Sequence, residues 1–377
     1  MSLSTDELRH YSRHLLLGEV GKEGQEKLKN SKILLIGAGG LGCPAAMYLA
    51  AAGVGTLGII DFDTVDVSNL QRQIAFTYAD VGESKAERIR ERLLATNPHI
   101  EIKIYKDRFS IDNAKDLFEE YDVIVDGCDN FGTRYLSNDT SYFTGKPLIF
   151  GAIHRFQGQM SVFSGAEKEA PCYRCLFPTP PDAGSIPNCA EAGVLGVLPG
   201  VVGGIQATEA IKEVLGLGSS LRGRLMVYDA LQMSFSDFKL AKNPACPLCG
   251  ENPSITELQE TELLCPSQKA QQGVDLSCSE LKAKIDRGDD FLLIDVREQY
   301  EWDICRIEGA ELIPLRFIQD ASKALAKDRD IVLYCHHGMR SMNALQTLKG
   351  CGFSRLQNLT GGISAWANEI DSEMPHY

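Results

Sequence analysis

The apolar residues of this chain fall into short unbroken runs separated by amphipathic stretches. Residues 1–30 read as an amphipathic helical lead-in. Lys32-Ile33-Leu34-Leu35-Ile36 then forms a continuous apolar run, the pattern of a strand buried on both faces. A glycine-rich turn comes next, then a helix over Ala45–Ala52 and a second strand over Leu57–Ile60. Further runs at Ile100–Tyr105, Val123–Val125 and Pro147–Phe150 predict strands, with a helix over Lys85–Ala95 between two of them. Strands alternating with helices predict a parallel α/β sheet of the Rossmann type. After Gly250 the stretch ENPSITELQETELLCPSQKAQQG loses periodicity and gathers breakers, so 251–274 reads as a linker. A smaller α/β pattern occupies 275–377. Its strands are expected at Phe291–Asp295, Ile331–Tyr334 and Leu356–Leu359, and its helices at Cys278–Arg287 and Arg340–Lys349.

Composition narrows the function classes. With 377 residues and 44% hydrophobic content, both the 1–250 and 275–377 segments can bury a core. A formal net charge of -13 argues against nucleic-acid and acidic-membrane partners, so a cationic site must be local. The small-apolar stretch from Cys43 to Ile60 is broken by Gly53, Gly55 and Gly58, which argues against a membrane span. The N-terminal residues are polar and acidic, unlike a secretory signal. Twelve cysteines in that setting point to metal binding or thiol chemistry in a cytoplasmic protein.

Gly37-Ala38-Gly39-Gly40-Leu41-Gly42 fits G-x-G-x-x-G between a predicted strand and a helix, where backbone N–H groups approach a phosphate. Asp61 ends the next strand, placed to bond a ribose hydroxyl. This much fits an NAD-dependent oxidoreductase equally well, and a tight turn without ligand is the plain alternative. The stretch after Asp61 changes the balance. Ser68-Asn69-Leu70-Gln71-Arg72-Gln73 and Lys85 put polar and cationic groups beside the turn. An enzyme that releases pyrophosphate from ATP needs such charge; a dehydrogenase does not. Asp129 and Asn130 come after the strand Val123–Val125, so Asp129 suits a magnesium ion accompanying ATP, or else a helix N-cap. The chain has no G-x-x-x-x-G-K-[ST].

Cys172-x-x-Cys175 and Cys246-x-x-Cys249 have the spacing of two zinc knuckles, with a redox C-x-x-C as the alternative. Four thiolates leave no open position, so the zinc would be structural. Cys189 sits in a Gly/Pro-containing stretch and on its residues alone reads as a buried, inert thiol. Cys335-His336-His337-Gly338-Met339-Arg340 comes after an apolar strand and opens a helix. Loop amides and the helix N-terminus there favour an anionic sulfur. Its C-x₄-R turn is one residue shorter than the phosphate cradle of cysteine phosphatases and suits a single sulfur atom.

The motifs RHLLL, GAGGLGCP, DFDTVDVSNLQRQ, VGESK and DGCDN, in order from about Leu8 to Gly250, resemble the MoeB/ThiF family of ubiquitin-activating-like adenylyltransferases. Residues from about Asp275 to Tyr377, with LIDVRE, CHHGMR and NLTGGISAW, resemble a rhodanese domain. The first resemblance implies an ATP site lined by Gly40, Asp61, Asn69, Arg72, Lys85 and Asp129. Arg13 would reach across a homodimer to the partner's triphosphate, and the four paired cysteines would be the zinc ligands. Cys189 would be the nucleophile found in some members. The second implies a persulfide on Cys335. Together they imply adenylation of a ubiquitin-like sulfur-carrier protein ending in Gly-Gly, then sulfur transfer to it from a cysteine desulfurase or thiosulfate. A non-catalytic binder of such a partner is the remaining alternative.

Overall fold

Strand β1 (Lys32–Ile36) lies inside a sheet and sorts its side chains by the two-residue period of a strand. Ile33 and Leu35 enter one core with Leu49, Leu57 and Val202, while Leu34 and Ile36 enter another with Phe118, Tyr121 and Tyr135. This double burial is why the run carries no polar alternation. Truncating such a leucine costs about 2–5 kcal/mol. The structure, a computed structural model, describes residues 2–164, 167, 170–181, 193–259 and 274–375. Cys189 lies outside the described residues.

The chain divides into two units. In the first, the remaining strands are β2 (Thr56–Ile60), β3 (Glu101–Tyr105), β4 (Val123–Asp126), β5 (Leu148–His154), β6 (Gln157–Phe163), β7 (Arg224–Asp229) and β8 (Ser234–Lys239). Their order is β3-β2-β1-β4-β5-β6-β7-β8. Pairing is parallel from β3 through β5, with Ile33 opposite both Leu57 and Val123. From β5 to β8 it is antiparallel, so the all-parallel expectation holds for only part of the sheet. For β5–β6 and for β7–β8 the physical reason is connection length. β5 and β6 are joined through Arg155 (φ 54°) and Phe156, too short for a crossover helix. Helices Gly42–Ala52 and Leu198–Leu215 cover one face of the sheet, and Ile111–Glu120 and Phe131–Thr144 cover the other. At the start of the stretch expected to be a linker, Ile255 and Leu258 pack against this unit.

The second unit holds β9 (Asp275–Leu276), β10 (Leu292–Asp295), β11 (Glu311–Leu312), β12 (Ile331–Tyr334) and β13 (Leu356–Leu359). They pair in parallel in the order β11-β10-β12-β13-β9. Central β12 is buried throughout. The α/β class is as expected in both units. No helix among the described residues is long and apolar enough to cross a membrane.

Candidate functional sites

At the carboxyl edge of β1, the chain turns through Gly37 (φ 91°) into the helix Gly42–Ala52. A Cβ on Gly42 would lie 1.9 Å from the Gly37 carbonyl oxygen, so only glycine closes this turn. The parallel register brings the ends of β2 and β4 to the same edge. Asp61, just after β2, is buried and accepts bonds from Ala38 N (2.7 Å) and Asp63 N (2.8 Å). Burial pushes its carboxyl up, while those backbone bonds pull the other way. After β4, Gly127 packs on Gly37, and exposed Asp129 stands two residues on. The N-cap of helix Phe131–Thr144 is Asn130, whose Oδ1 accepts from Thr133 N (2.9 Å). That cap role therefore falls to Asn130 rather than Asp129.

The cationic groups approach from the next loop. Arg72 Cδ stands 3.8 Å from the position of a Cβ on Gly40, and its Nη1 donates to the Ser68 carbonyl at 3.0 Å. Gln73 Nε2 stands equally far from such a Cβ on Gly39. Lys85 is buried, with Nζ 3.1 Å from Asp63 Oδ2. Ser68 and Asn69 serve the turn begun at Asp66, Gln71 packs against Gly196, and Leu70 faces the core. Burial pushes the Cys43 thiol up to about 12, which makes it inert beside the turn.

Arg13 stands exposed on the short helix Ser12–Leu15. Its neighbour Tyr11 packs at Gly53, and Gln25, which bonds His14, donates to Ala52 O. These contacts sit at the carboxyl end of the helix whose amino end meets the glycine turn. At the rise of an α-helix those ends are about 16 Å apart. Arg13 is anchored away from its own chain's turn.

The four paired cysteines converge. Sγ separations are 4.0 Å for Cys172–Cys175, 3.6 Å for Cys172–Cys246 and 3.3 Å for Cys175–Cys249, and all four lie within 4.8 Å of one another. Sulfurs about 2.3 Å from one zinc would be about 3.8 Å apart in a tetrahedron. Backbone amides of Asn243 and Cys249 point at Cys175 Sγ and Cys246 Sγ. The donor set fits zinc. Arg174, between the first two cysteines, forms a buried two-pronged pair with Asp139 at 2.7 Å on both arms. Tyr135 donates to the carbonyls of Phe177 and Thr179. One helix, Phe131–Thr144, thus carries Tyr135, Asn138 and Asp139, which hold the first knuckle and the residues just after it, and its amino end borders Asp129.

In the second unit, Cys335 sits directly after β12 and is buried. Its Sγ accepts from Gly338 N (3.1 Å) and Ser341 Oγ (3.4 Å) at the start of helix Met339–Gly350. The loop's carbonyls turn outward: Ile363 N donates to Cys335 O and Ser364 N to His336 O. This requires Gly362 (φ 62°), where a Cβ would lie 2.4 Å from both carbonyl oxygens. With these carbonyls tied to the helix Gly362–Glu369, the Gly338 amide is left to face the sulfur. Arg340 bonds Glu301 through both arms at 2.7 Å. Burial tends to raise the Glu301 carboxyl, but the Arg340 bonds, the Glu298 amide and the charges of Arg340 and Arg297 together outweigh it and hold it below the usual range. His336 is buried and stacked on His337 at 4.1 Å. Burial, then the neighbouring His337, push it down to about 4.

One of these residues carries no signal in the sequence: Glu301 is an ordinary polar residue whose partner, Arg340, lies 39 positions further along the chain. Gln206, whose Nε2 ties the Asp126 and Ile149 carbonyls, had a signal: it is a lone amide within an apolar helix.

Comparison with known proteins gives matches over both units. The ThiF family model matches residues 11–248 and the rhodanese-like domain model matches 277–369. The "Probable adenylyltransferase/sulfurtransferase MoeZ" of Mycobacterium tuberculosis is 47% identical, with 100% of this chain and 97% of that protein covered. The "Sulfur carrier protein adenylyltransferase" of Thermus thermophilus is 49% identical over 70% of this chain and 99% of its own length. The crystal structure of Escherichia coli MccB with MccA-N7isoASN has a similar fold (TM-score 0.57, 23% identity, 66% of this chain and 75% of that one).

Proposed function

The chain belongs to the ThiF family and carries a rhodanese-like domain, and from that premise we propose how its two sites act in sequence. It is an ATP-using adenylyltransferase and a sulfurtransferase that acts on a sulfur-carrier protein. The carrier is a ubiquitin-like protein whose C-terminal Gly-Gly carboxylate attacks the α-phosphorus of ATP. Pyrophosphate leaves and an acyl-adenylate forms. The observation that carries this reading is Arg72 lying against Gly40 at the mouth of the glycine turn.

The turn amides after Ala38 receive the phosphates, and Asp61, which holds Ala38 N, orients the ribose. Arg72 and Lys85 stabilise the charge that builds on departing pyrophosphate. Lys85, held by Asp63 at 3.1 Å, reaches the phosphates by exchanging that partner. Asp129 would hold a magnesium ion, which would neutralise the triphosphate. The position of Arg13, anchored away from its own turn, supports a homodimer in which it serves the partner's site. A persulfide on Cys335 then attacks the carrier's acyl-adenylate, expelling AMP and leaving the carrier joined to Cys335 as an acyl disulfide. A second thiol attacks Cys335 Sγ, breaks that S–S bond and frees the carrier as a thiocarboxylate, and a further reducing thiol reopens the disulfide left on Cys335. Cys189 is a further nucleophile on this reading. Zinc on Cys172, Cys175, Cys246 and Cys249 is structural, and the thiol-rich chain is placed in the cytoplasm. The exposed β8 hairpin, with Leu231, Met233, Phe235 and Phe238, supports docking of a folded protein substrate.

The test is exchange of labelled pyrophosphate into ATP. It should require both magnesium and a carrier ending in Gly-Gly. Exchange without the carrier, or none with it, would reject the assignment.

A further inference from the structure

We propose, resting on the reading of Asp129 as the magnesium ligand, that Asp126 and Arg134 are positioning residues that aim its carboxylate. Asp126 ends β4 and is fully buried, and Arg134 closes the first turn of helix Phe131–Thr144 with its side chain 11% exposed. The loop Gly127–Asn130 runs between them. Asp126 Oδ1 accepts from Cys128 N at 3.0 Å, and Arg134 Nη2 donates to Cys128 O at 3.3 Å. Two charged side chains thus hold the two peptide groups that lead into Asp129. On its far side, Asn130 caps the helix through Thr133 N, and its carbonyl accepts from Arg134 N at 3.3 Å. The loop is gripped at both ends. The Asp129 carboxylate, exposed between those grips, makes no hydrogen bond or ion pair among the described residues.

A second arginine–aspartate pair on the same helix shows what a pair built for mutual contact looks like. Arg174 closes on Asp139 with both arms at 2.7 Å. Arg134 and Asp126 stay open. Arg134 Nε lies 3.8 Å from Asp126 Oδ2, beyond hydrogen-bond reach, and both atoms are buried without a hydrogen-bond partner among the described residues. Leaving such atoms unpaired costs stability, so the arrangement calls for another use. Each partner has turned an atom to Cys128 in place of the other partner. Phe150 and Phe131 flank the guanidinium, 5.3 and 5.6 Å from its central carbon, and restrict its plane. A guanidinium can face a carboxylate and bond a carbonyl from two nitrogens of one fixed fork, whereas an ammonium is a single point of charge. Magnesium demands near-ideal octahedral geometry, so the direction of one carboxylate matters. Groups that orient a metal ligand set its affinity by about 10–100-fold.

The experiment follows the melting temperature of the full-length protein with ATP and no carrier as magnesium is raised. The wild-type protein should gain stability with a defined magnesium midpoint, and Asp129→Ala should lose that gain. Arg134→Lys keeps the charge without the fork, and Asp126→Asn keeps the shape without the charge. Each should raise the midpoint about tenfold or more. Pyrophosphate exchange should show the same split, with a higher magnesium requirement and most of the rate recovered at saturating magnesium. Leu136→Ala, a core truncation on the same helix, should lower the melting temperature without moving the midpoint. A wild-type midpoint in both Arg134→Lys and Asp126→Asn, beside a lost response in Asp129→Ala, overturns the inference and leaves Asp129 as the ligand. An equal shift in Leu136→Ala, or loss of cooperative melting in both pair variants, also overturns it, since the pair would then hold the fold rather than aim one side chain. If Asp129→Ala responds to magnesium as the wild type does, the magnesium reading falls, and this inference with it.

Discussion

The nucleotide edge of the first unit and the cysteine loop of the second share a backbone device but differ in charge. Each sits where a central parallel strand ends and a helix begins, and each depends on a glycine that no other residue can replace, Gly42 and Gly362. In both, backbone N–H groups are freed to meet a negative group. At the first edge Arg72 is held, among the described residues, by a carbonyl, and Lys85 by a half-exposed Asp63, so both cations can turn to an arriving triphosphate. At the second, Arg340 is locked by a buried carboxylate. The difference matches the load: several charges on a triphosphate, one on a sulfur.

The sharpest way to break this comparison is to remove one site and ask whether the other survives. Cys335→Ser should abolish thiocarboxylate formation from a persulfide donor, read as replacement of oxygen by sulfur in the carrier's intact mass. The same variant should keep pyrophosphate exchange near the wild-type rate. Thiocarboxylate made at the wild-type rate would move sulfur delivery to Cys189 or to an external protein. Next in size, Arg72→Ala or Lys85→Ala should cost about 10²-fold or more in exchange while persulfide loading of Cys335 continues. Full exchange activity in both variants would mean that these cations are surface charge.

Zinc sharpens the contrast from the side of stability. Elemental analysis should find about one zinc per chain, and a strong chelator should lower the melting temperature of the first unit's transition only. Cys246→Ser should lose the metal and lose solubility and stability together. A Cys172–Cys175 disulfide in metal-free protein would favour the redox reading of the pair.

Much of the fold and of both sites was legible because the chemistry sits on local motifs. The glycine turn, the paired C-x-x-C spacing and the C-x₄-R loop each declare themselves within a few residues, and the apolar runs at β1 and β12 located the central strands. The hidden features depend on long-range contact. The run Ser137–Ser141 is polar yet buried, and nothing local indicates that Asn138 and Asp139 receive Tyr173 N and Arg174. β6, β7 and β8 went unread; both faces of β8 are exposed, so no apolar period marks it. The neutralisation of Arg340 was equally invisible: Glu301 lies 39 residues away and reaches it only through the parallel register of β10 and β12.

The smallest expected effect is a pH dependence confined to the second unit, and its sign is set by His336. An imidazole held at about 4 when folded, and near 6.5 when unfolded, takes up its proton more readily in the unfolded chain. Between those values unfolding therefore binds a proton, so stability falls as pH drops from about 6.5 towards 4 and levels off below. The full span corresponds to on the order of 2–3 kcal/mol, enough to shift a unit of this size by several degrees. Glu301 acts in a lower window. Its depressed carboxyl contributes stability above its unfolded value of 4.5 that is lost only as pH falls through its folded value. Melting temperatures of the full chain at closely spaced pH values between 7 and 4 should show the second unit's transition descending. His336→Asn should flatten that descent above about pH 5 and leave the Glu301 contribution below it. An unchanged slope in His336→Asn would mean that the buried imidazole is not the titrating group, and that the ring is protonated in the folded loop. The charge contrast between the two sites would then narrow by one cation.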